Sequence, residues 1–247
     1  MENSELIKRA QDLARRCERS GKVCATGFLS PAEQYEIQTH LGCTDCRLVF
    51  SGGTGDRERR AAFFLPDYME EDQLDVSDFI CAMELKAYFG TPGHRDYMGA
   101  LLGMGIGREW LGDIQVEEDR AYVFCMNSVL GHLLSIEKAG HYTVKARQIE
   151  LSQVPQRHVE TKETSFSVMS MRLDAVAAGL FNLSRTEAAK QIAAGNLSLN
   201  YSQCLKADCT VKEGDIISLK GRGKGRISGT GGTSRKGRLF VYGEIYK

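Results

Sequence analysis

The sequence predicts an α+β chain of three units. These are a small N-terminal α/β unit over residues 1–75, a central β-α-β-β-α-β unit over 76–155, and a C-terminal module over 166–247. Three observations predict it. Two helical stretches followed by two strand-like runs open the chain. The middle third sets apolar runs and helical stretches in the order of a split βαβ pattern. The last third holds a helix pair, a hairpin and a glycine–basic run, and its charge is opposite to that of everything before it.

In the first unit, Ser4 to Ser20 reads as a helix with Leu6, Leu13 and Cys17 on one side and basic residues on the other. Ser30-Pro31 supplies a cap and a first-turn proline to a second helix, Ala32 to Leu41. Arg47–Phe50 and Ala61–Leu65 read as strands around the glycine-rich turn 51–56, and the acidic run Met69–Asp75 as a connector. The central unit then runs strand Phe79–Tyr88, helix Arg95–Met104, strands Asp113–Val116 and Ala121–Cys125, helix Val129–Ala139 and strand Tyr142–Ile149. That order is ferredoxin-like, the architecture also of RNA-recognition (RRM-like) sheets, which expose aromatics for base stacking. Tyr122 and Phe124 share one face of the third strand and serve that role only where the face is not core. His94-Arg95-Asp96 reads as a helix start with Asp96 as its first-turn acid, or as a contact made by Arg95.

In the C-terminal module, Leu173, Val176, Ala177 and Leu180 recur at the spacing of one helix face. Ser184-Arg185-Thr186-Glu187 reads as a capping box opening a second helix, and Gly195 as its left-handed stop. Strands follow at Leu197–Leu199 and Ile216–Leu219. Residues 166–247 carry 13 Lys/Arg against 6 Asp/Glu, a charge of +7, whereas residues 1–165 carry 19 against 26, a charge of −7. From Ser218 to Arg238 stand Lys220, Arg222, Lys224, Arg226, Arg235, Lys236 and Arg238, with no acid among them. Unopposed clustered cations are the electrostatic footprint of phosphate binding, whereas a merely solvated face intersperses acids. A helix N-terminus carrying Arg185, with Lys190 a little over one turn later, presents N–H dipoles and cations to the same anion.

Composition bounds the rest. The chain has 247 residues, zero formal net charge, 42% hydrophobic residues and 8 cysteines. No stretch approaches the roughly 20 apolar residues of a bilayer span. The acidic Met1–Glu5 leads into a helix and does not read as a signal peptide. The expectation is a cytoplasmic protein with reduced thiols. Cys43/Cys46 and Cys204/Cys209 lack a second Cys/His pair nearby in sequence, so no metal or other cofactor is expected.

Arg172-Leu173-Asp174, Ser184-Arg185, Ala188–Ile192, Gly195, Asn200, Gly214-Asp215 and the Gly221–Arg226 run together resemble the S4 (αL-type) RNA-binding domain, with Tyr201 standing where that family usually has glycine. Thr91–Glu109 with Gly112-Asp113-Ile114 resembles the corresponding run of the YlmH family. Gly52-Gly53, Glu58-Arg59, Phe64–Tyr68 and Gly232–Arg238 match that family as well. The resemblance covers nearly the whole chain. It implies a bacterial, ribosome-associated protein that binds RNA (rRNA and/or tRNA) on the large ribosomal subunit in stalled-ribosome rescue or quality control, with no membrane and no small-molecule substrate. The family is also linked to cell division, so an assembly or division adaptor is an alternative.

Enzyme readings fail on spacing. His94-Arg95-Asp96 lacks the kinase's downstream Asn and Asp-Phe-Gly. Gly103-x-Gly105-x-Gly107 closes a helix instead of opening one, and no glycine run carries the Gly-Lys-Ser/Thr of a P-loop. Arg172-Leu173-Asp174 with Gly179-Leu180 resembles the string around the catalytic Asp of pseudouridine synthases, the RNA-modifying alternative. Those enzymes place a large catalytic core after an S4 domain, and only 73 residues follow Asp174 here. No catalytic residue is therefore expected, and Asp174 reads as a helix-start acid. The RNA-binding set expected is Arg172, Ser184, Arg185, Thr186, Lys190, Asn200, Lys220, Arg222, Lys224, Arg226, Arg235, Lys236 and Arg238, with Arg185 at its centre.

Overall fold

A computed structural model describes residues 2–156, 161–234 and 237–246. The chain forms two units, residues 1–157 and 158–247. It is a mixed α/β protein with six α-helices and three antiparallel sheets among the described residues. None of these helices is long and apolar enough to cross a membrane.

The first unit begins with helix α1 (Glu2–Ser20), strand β1 (Cys24–Leu29), helix α2 (Pro31–His40) and strands β2 (Arg47–Ser51) and β3 (Arg60–Leu65). Ala10, Ala14 and Cys17 make the buried stripe of α1, one turn apart as an amphipathic helix requires. At the start of α2 the backbone N–H of Glu33 donates to Ser30 Oγ, and the N–H of Ser30 donates to the Glu33 carboxylate. The three strands pair in the order β1-β3-β2. Because β3 is central, it is apolar on both faces. Ala62 and Phe64 pack against the helices, while Ala61, Phe63 and Leu65 face a second sheet.

That second sheet is built from β4 (Ile80–Ala87), α3 (His94–Gly103), β5 (Leu111–Glu117), β6 (Arg120–Met126), α4 (Asn127–Leu133), β7 (Lys138–Ala139) and β8 (Tyr142–Ile149). Its strands pair antiparallel in the order β5-β6-β4-β8-β7. Helices α3 and α4 cover one face, where Tyr97, Leu101 and Leu133 meet Met83, Leu85 and Val123. The N-terminal strands cover much of the other, where Phe28, Val49 and Phe63 meet Ile80, Ala82, Tyr122 and Phe124. Tyr122 and Phe124 are therefore core, with no face open for stacking. Arg59 ties the two sheets by donating to the carbonyls of Phe28 (2.8 Å) and Leu111 (3.1 Å). Asp113 accepts from the backbone N–H groups of Glu58 and Arg59. The Arg57 guanidinium lies 4.3 Å over the Phe124 ring.

The second unit contains β9 (Thr161–Val168), α5 (Leu173–Leu180), α6 (Arg185–Ala193), β10 (Leu197–Leu199), β11 (Ser202–Gln203), β12 (Ile216–Leu219), β13 (Gly223–Thr233) and β14 (Leu239–Tyr246). One antiparallel sheet takes the order β11-β10-β12-β13-β14-β9, so β9 is an edge strand. Helices α5 and α6 cover one face through Leu173, Val176, Leu180, Ala188 and Ile192 on Ile217, Ile227 and Val241. Gly225 belongs to this packing. A Cβ there would stand 2.9 Å from the Glu244 carbonyl and about 3.1 Å from Leu180.

Several expectations need correction. Strands β1, β9, β11, β13 and β14 are absent from the sequence reading, and β9 begins at Thr161, ahead of residue 166. The helix expected over Val129–Ala139 ends at Leu133, because Lys138 and Ala139 pair with Thr143 and Tyr142 as β7. The glycine–basic run, given no secondary structure by the sequence reading, is a turn and a strand. Lys220-Gly221-Arg222 is a hairpin turn, Gly223–Arg226 pairs with β12, and Gly225 and Arg226 pair with β14 as well.

Phe124 is fully buried between the two sheets of the first unit. Phe124→Ala is expected to cost about 3–5 kcal/mol, read as a fall in the urea midpoint of the first unit's transition.

Candidate nucleic-acid interface

Helix α5 opens with a clamp. Arg172 is its N-cap residue and Asp174 lies in its first turn, 5% exposed. The Asp174 carboxylate accepts from Arg172 Nε and Nη2, both at 3.2 Å, and from Arg185 Nε at 3.0 Å and Nη2 at 3.3 Å. Burial by itself would raise the Asp174 pKa. The hydrogen bonds and charges of the two guanidiniums outweigh it and hold the carboxyl below its usual range. Arg172 is correspondingly pushed up by its bond to Asp174. Arg185 thus spends one edge on Asp174, and with its side chain 57% exposed it keeps the other for solvent.

A groove of about 720 Å³ runs along edge strand β9 and the C-terminal half of α5. Phe166, Leu180 and Phe181 give it an apolar floor, and Lys162, Arg185, Arg222 and Arg238 line it. No Asp or Glu is among the described residues that line it. Three residues of the expected set, Arg185, Arg222 and Arg238, therefore line one groove, from a helix start, a hairpin turn and the position just ahead of β14. Arg172 adjoins them through Asp174.

The rest of the set divides. Lys224 and Arg226 alternate with the buried Gly225 and Ile227, which sends them to the face of the sheet away from the helices. There Lys224 lies 5.1 Å over the Tyr246 ring and Arg226 pairs with Glu244 at 3.2 Å. Lys220 is exposed at the hairpin turn, and Thr186 and Lys190 are exposed on α6. Ser184 Oγ accepts from the Glu187 N–H at 3.1 Å, but the Glu187 carboxylate accepts from Gln191 Nε2, so the capping box is half made.

Asn200 is turned inward. It donates to Asp215 Oδ1 at 2.9 Å and accepts from the Ile216 N–H at 2.9 Å, fastening the hairpin turn to β12. Asn200 and Tyr201 both have positive φ, at 48° and 67°, the conformation of a two-residue β10–β11 turn that favours Asn and Gly. Arg235 and Lys236 lie outside the described residues.

Sequence reasoning missed Lys162, which stands before the boundary drawn at 166. It also missed Phe240 and Tyr242, which are exposed on the outer face of β14. The alternation Leu239-Phe240-Val241-Tyr242 was the available signal. Among the cysteines, the Cys204 and Cys209 sulfurs are 3.1 Å apart, and Cys46 donates to the Ala14 carbonyl. No group of three or more His, Cys, Asp or Glu that could hold a metal occurs among the described residues.

Residues 73–153 match the family described as "Putative RNA-binding domain in YlmH". Over 242 residues the chain is 28% identical to the "Ribosome-associated protein quality control protein P2" of Bacillus subtilis, spanning 98% of this chain and 94% of that one. The resemblance to the YlmH family is borne out. In fold, the YlmH-like chain is also similar to the solved "Cell division protein ylmH from Streptococcus pneumoniae", with a TM-score of 0.50 and 20% identity over 62% of this chain and 94% of that one.

The depressed Asp174 pKa carries a sign. Its clamp stabilises the second unit fully above the unfolded carboxyl pKa of about 3.9 and is lost as pH falls through the lower folded value. Asp174→Asn is expected to lower the unit's stability at neutral pH by about 1–3 kcal/mol. It should also flatten the loss of stability below about pH 4, where wild type falls. Thermal melts across an acid series would show both effects.

Proposed function

We propose that this protein is a non-enzymatic RNA-binding factor that works on the ribosome, gripping folded RNA with the groove of its second unit. The carrying observation is a cleft lined by Lys162, Arg185, Arg222 and Arg238, with no Asp or Glu among the described residues that line it. Phosphate is the ligand such a cleft attracts, and clustered guanidiniums hold it through paired N–H groups. The match of residues 73–153 to an RNA-binding family supports the same reading. The relative's name adds ribosome association and protein quality control. On this reading the second unit is an S4-type module, the central sheet is RRM-like in topology, and the first unit comprises two domains, residues 1–75 and 76–155. The RNA is ribosomal or transfer RNA on the large subunit, and the setting is cytoplasmic.

Asp174 weighs against the pseudouridine-synthase alternative. Its carboxylate is buried and held by two arginines, whereas a catalytic Asp must present an oxygen to its substrate.

Binding to a structured ribosomal or transfer RNA should weaken linearly in log affinity against log salt. Arg185→Ala and Arg222→Ala are each expected to weaken it by about tenfold and to reduce the slope by about 1. The protein should co-sediment with large subunits in sucrose gradients at low salt and leave them at high salt. Salt-independent binding, or full affinity in the double variant, would remove the groove from the mechanism.

A further inference from the structure

The central sheet has a second open surface. On the face covered by the N-terminal strands, Ile80, Ala82 and Phe124 are buried beneath Phe28 and Phe63. The same face continues along β4 and β8 past that cover. There Glu84 stands opposite Arg147, and Lys86 lies between Arg120 and Lys145. Glu84 is 3% exposed and accepts from Arg120 Nη1 at 3.0 Å and from Arg147 Nε. Asp119 pairs with Arg120 at 3.0 Å and with Lys86 at 3.7 Å. Glu117 stands opposite Arg120 on β5, so four cations face three carboxylates, and Glu84 and Asp119 serve to fix arginine and lysine side chains.

Just beyond the end of β4 the chain displays two rings, Tyr88 at 60% and Phe89 at 86% exposure. Gly90 has a φ of +76° and packs so closely on Tyr142 that a Cβ there would lie 2.5 Å from the ring. That contact pins the turn next to Phe89. A cleft of about 550 Å³ opens between the rings and Lys86, Lys145 and Arg147, with Glu84 and Asp119 also in its lining.

We propose that this cleft binds an unpaired RNA strand, with bases stacked on Tyr88 and Phe89 and phosphates held by Lys86, Lys145 and Arg147. The proposal rests on the RNA-binding reading above and adds a second contact surface in the other unit. Charge complementarity selects the occupant. A protein partner would favour a contiguous apolar patch, whereas exposed rings bordered by Lys145 and by cations that outnumber the lining carboxylates by one suit bases joined by phosphates. The stacking positions under the N-terminal strands are closed, so stacking falls to the uncovered end of the same face.

The test uses the full chain, a fluorescein-labelled oligouridylate of about a dozen nucleotides, and a labelled RNA hairpin, both followed by anisotropy. Phe89→Ala is expected to weaken oligouridylate binding by about tenfold, and Phe89→Trp to preserve it. Lys145→Glu should weaken it further and reduce its salt slope. Hairpin binding should stay unchanged in these variants and fall in Arg222→Ala. Thiouridine crosslinks should map to the peptide holding Tyr88 and Phe89. Unchanged oligouridylate affinity in Phe89→Ala and Lys145→Glu, or crosslinks confined to residues 161–246, would overturn the proposal while leaving the groove intact. Loss of self-association in Phe89→Ala, with RNA binding intact, would assign the rings to a second copy instead and also overturn it. If wild type binds neither RNA, the broader reading fails first.

Discussion

Every sheet has two faces, and this chain has helices enough to cover only one face of each. What becomes of the second face decides everything else about its surface. In the first unit, the second face of the five-stranded sheet is closed over Ile80, Ala82, Tyr122 and Phe124 by another sheet, through Phe28, Val49 and Phe63. That closure is why β3 is apolar on both sides, and why Arg57 and Arg59 are drawn into the seam between sheets instead of meeting water. In the second unit none of the described helices covers the second face. It carries Ser165, Ser167, Lys224, Arg226, Phe240 and Tyr242, residues that tolerate solvent or can use it.

The cationic groove owes its character to placement more than to number. Two of the basic residues nearest α5 are committed to Asp174, and Arg226 to Glu244. An arginine held on one edge by a buried carboxylate loses rotamer freedom before any ligand arrives, which reduces the ordering cost of gripping a phosphate. The same carboxylate removes part of the positive potential. The clamp therefore trades attraction for direction, and Arg222 and Arg238 supply the attraction.

Much of this was legible in the sequence, and the residues show why the remainder was not. Helices α2, α3, α5 and α6 announced themselves through caps and periodicity, and Asp96 indeed accepts from the Gly93 N–H at the start of α3. Strands β4 and β6 stood out as apolar runs, and β5 and β8 through their place in the β-α-β-β-α-β order. Strand β13 did not, because Gly223, Gly225, Gly229, Gly231 and Gly232 lower β-propensity, and the close approaches of neighbours at Gly225 and Gly231 are visible only in three dimensions. Strand β9 buries only the alternate side chains near its end, so Thr161–Ser165 reads as polar linker. At the site, cation identity could be read but facing could not. Lys224 and Arg226 leave the groove because strand alternation sends them to the other face. Asn200, which looks like a surface amide, is consumed by the turn it makes possible.

One further consequence lies in the exposed margin of the six-stranded sheet. Strand β9 ends that sheet with eight residues whose outer backbone groups pair with no other strand of it, the arrangement by which β-proteins join edge to edge into aggregates. Here the margin is flanked by Lys162, Arg185, Arg222 and Arg238. Two copies meeting along it would bring like charges together at close range. The positive lining that suits the groove to a polyanion thus also acts as a guard against self-assembly, and the guard is relaxed when a polyanion neutralises it.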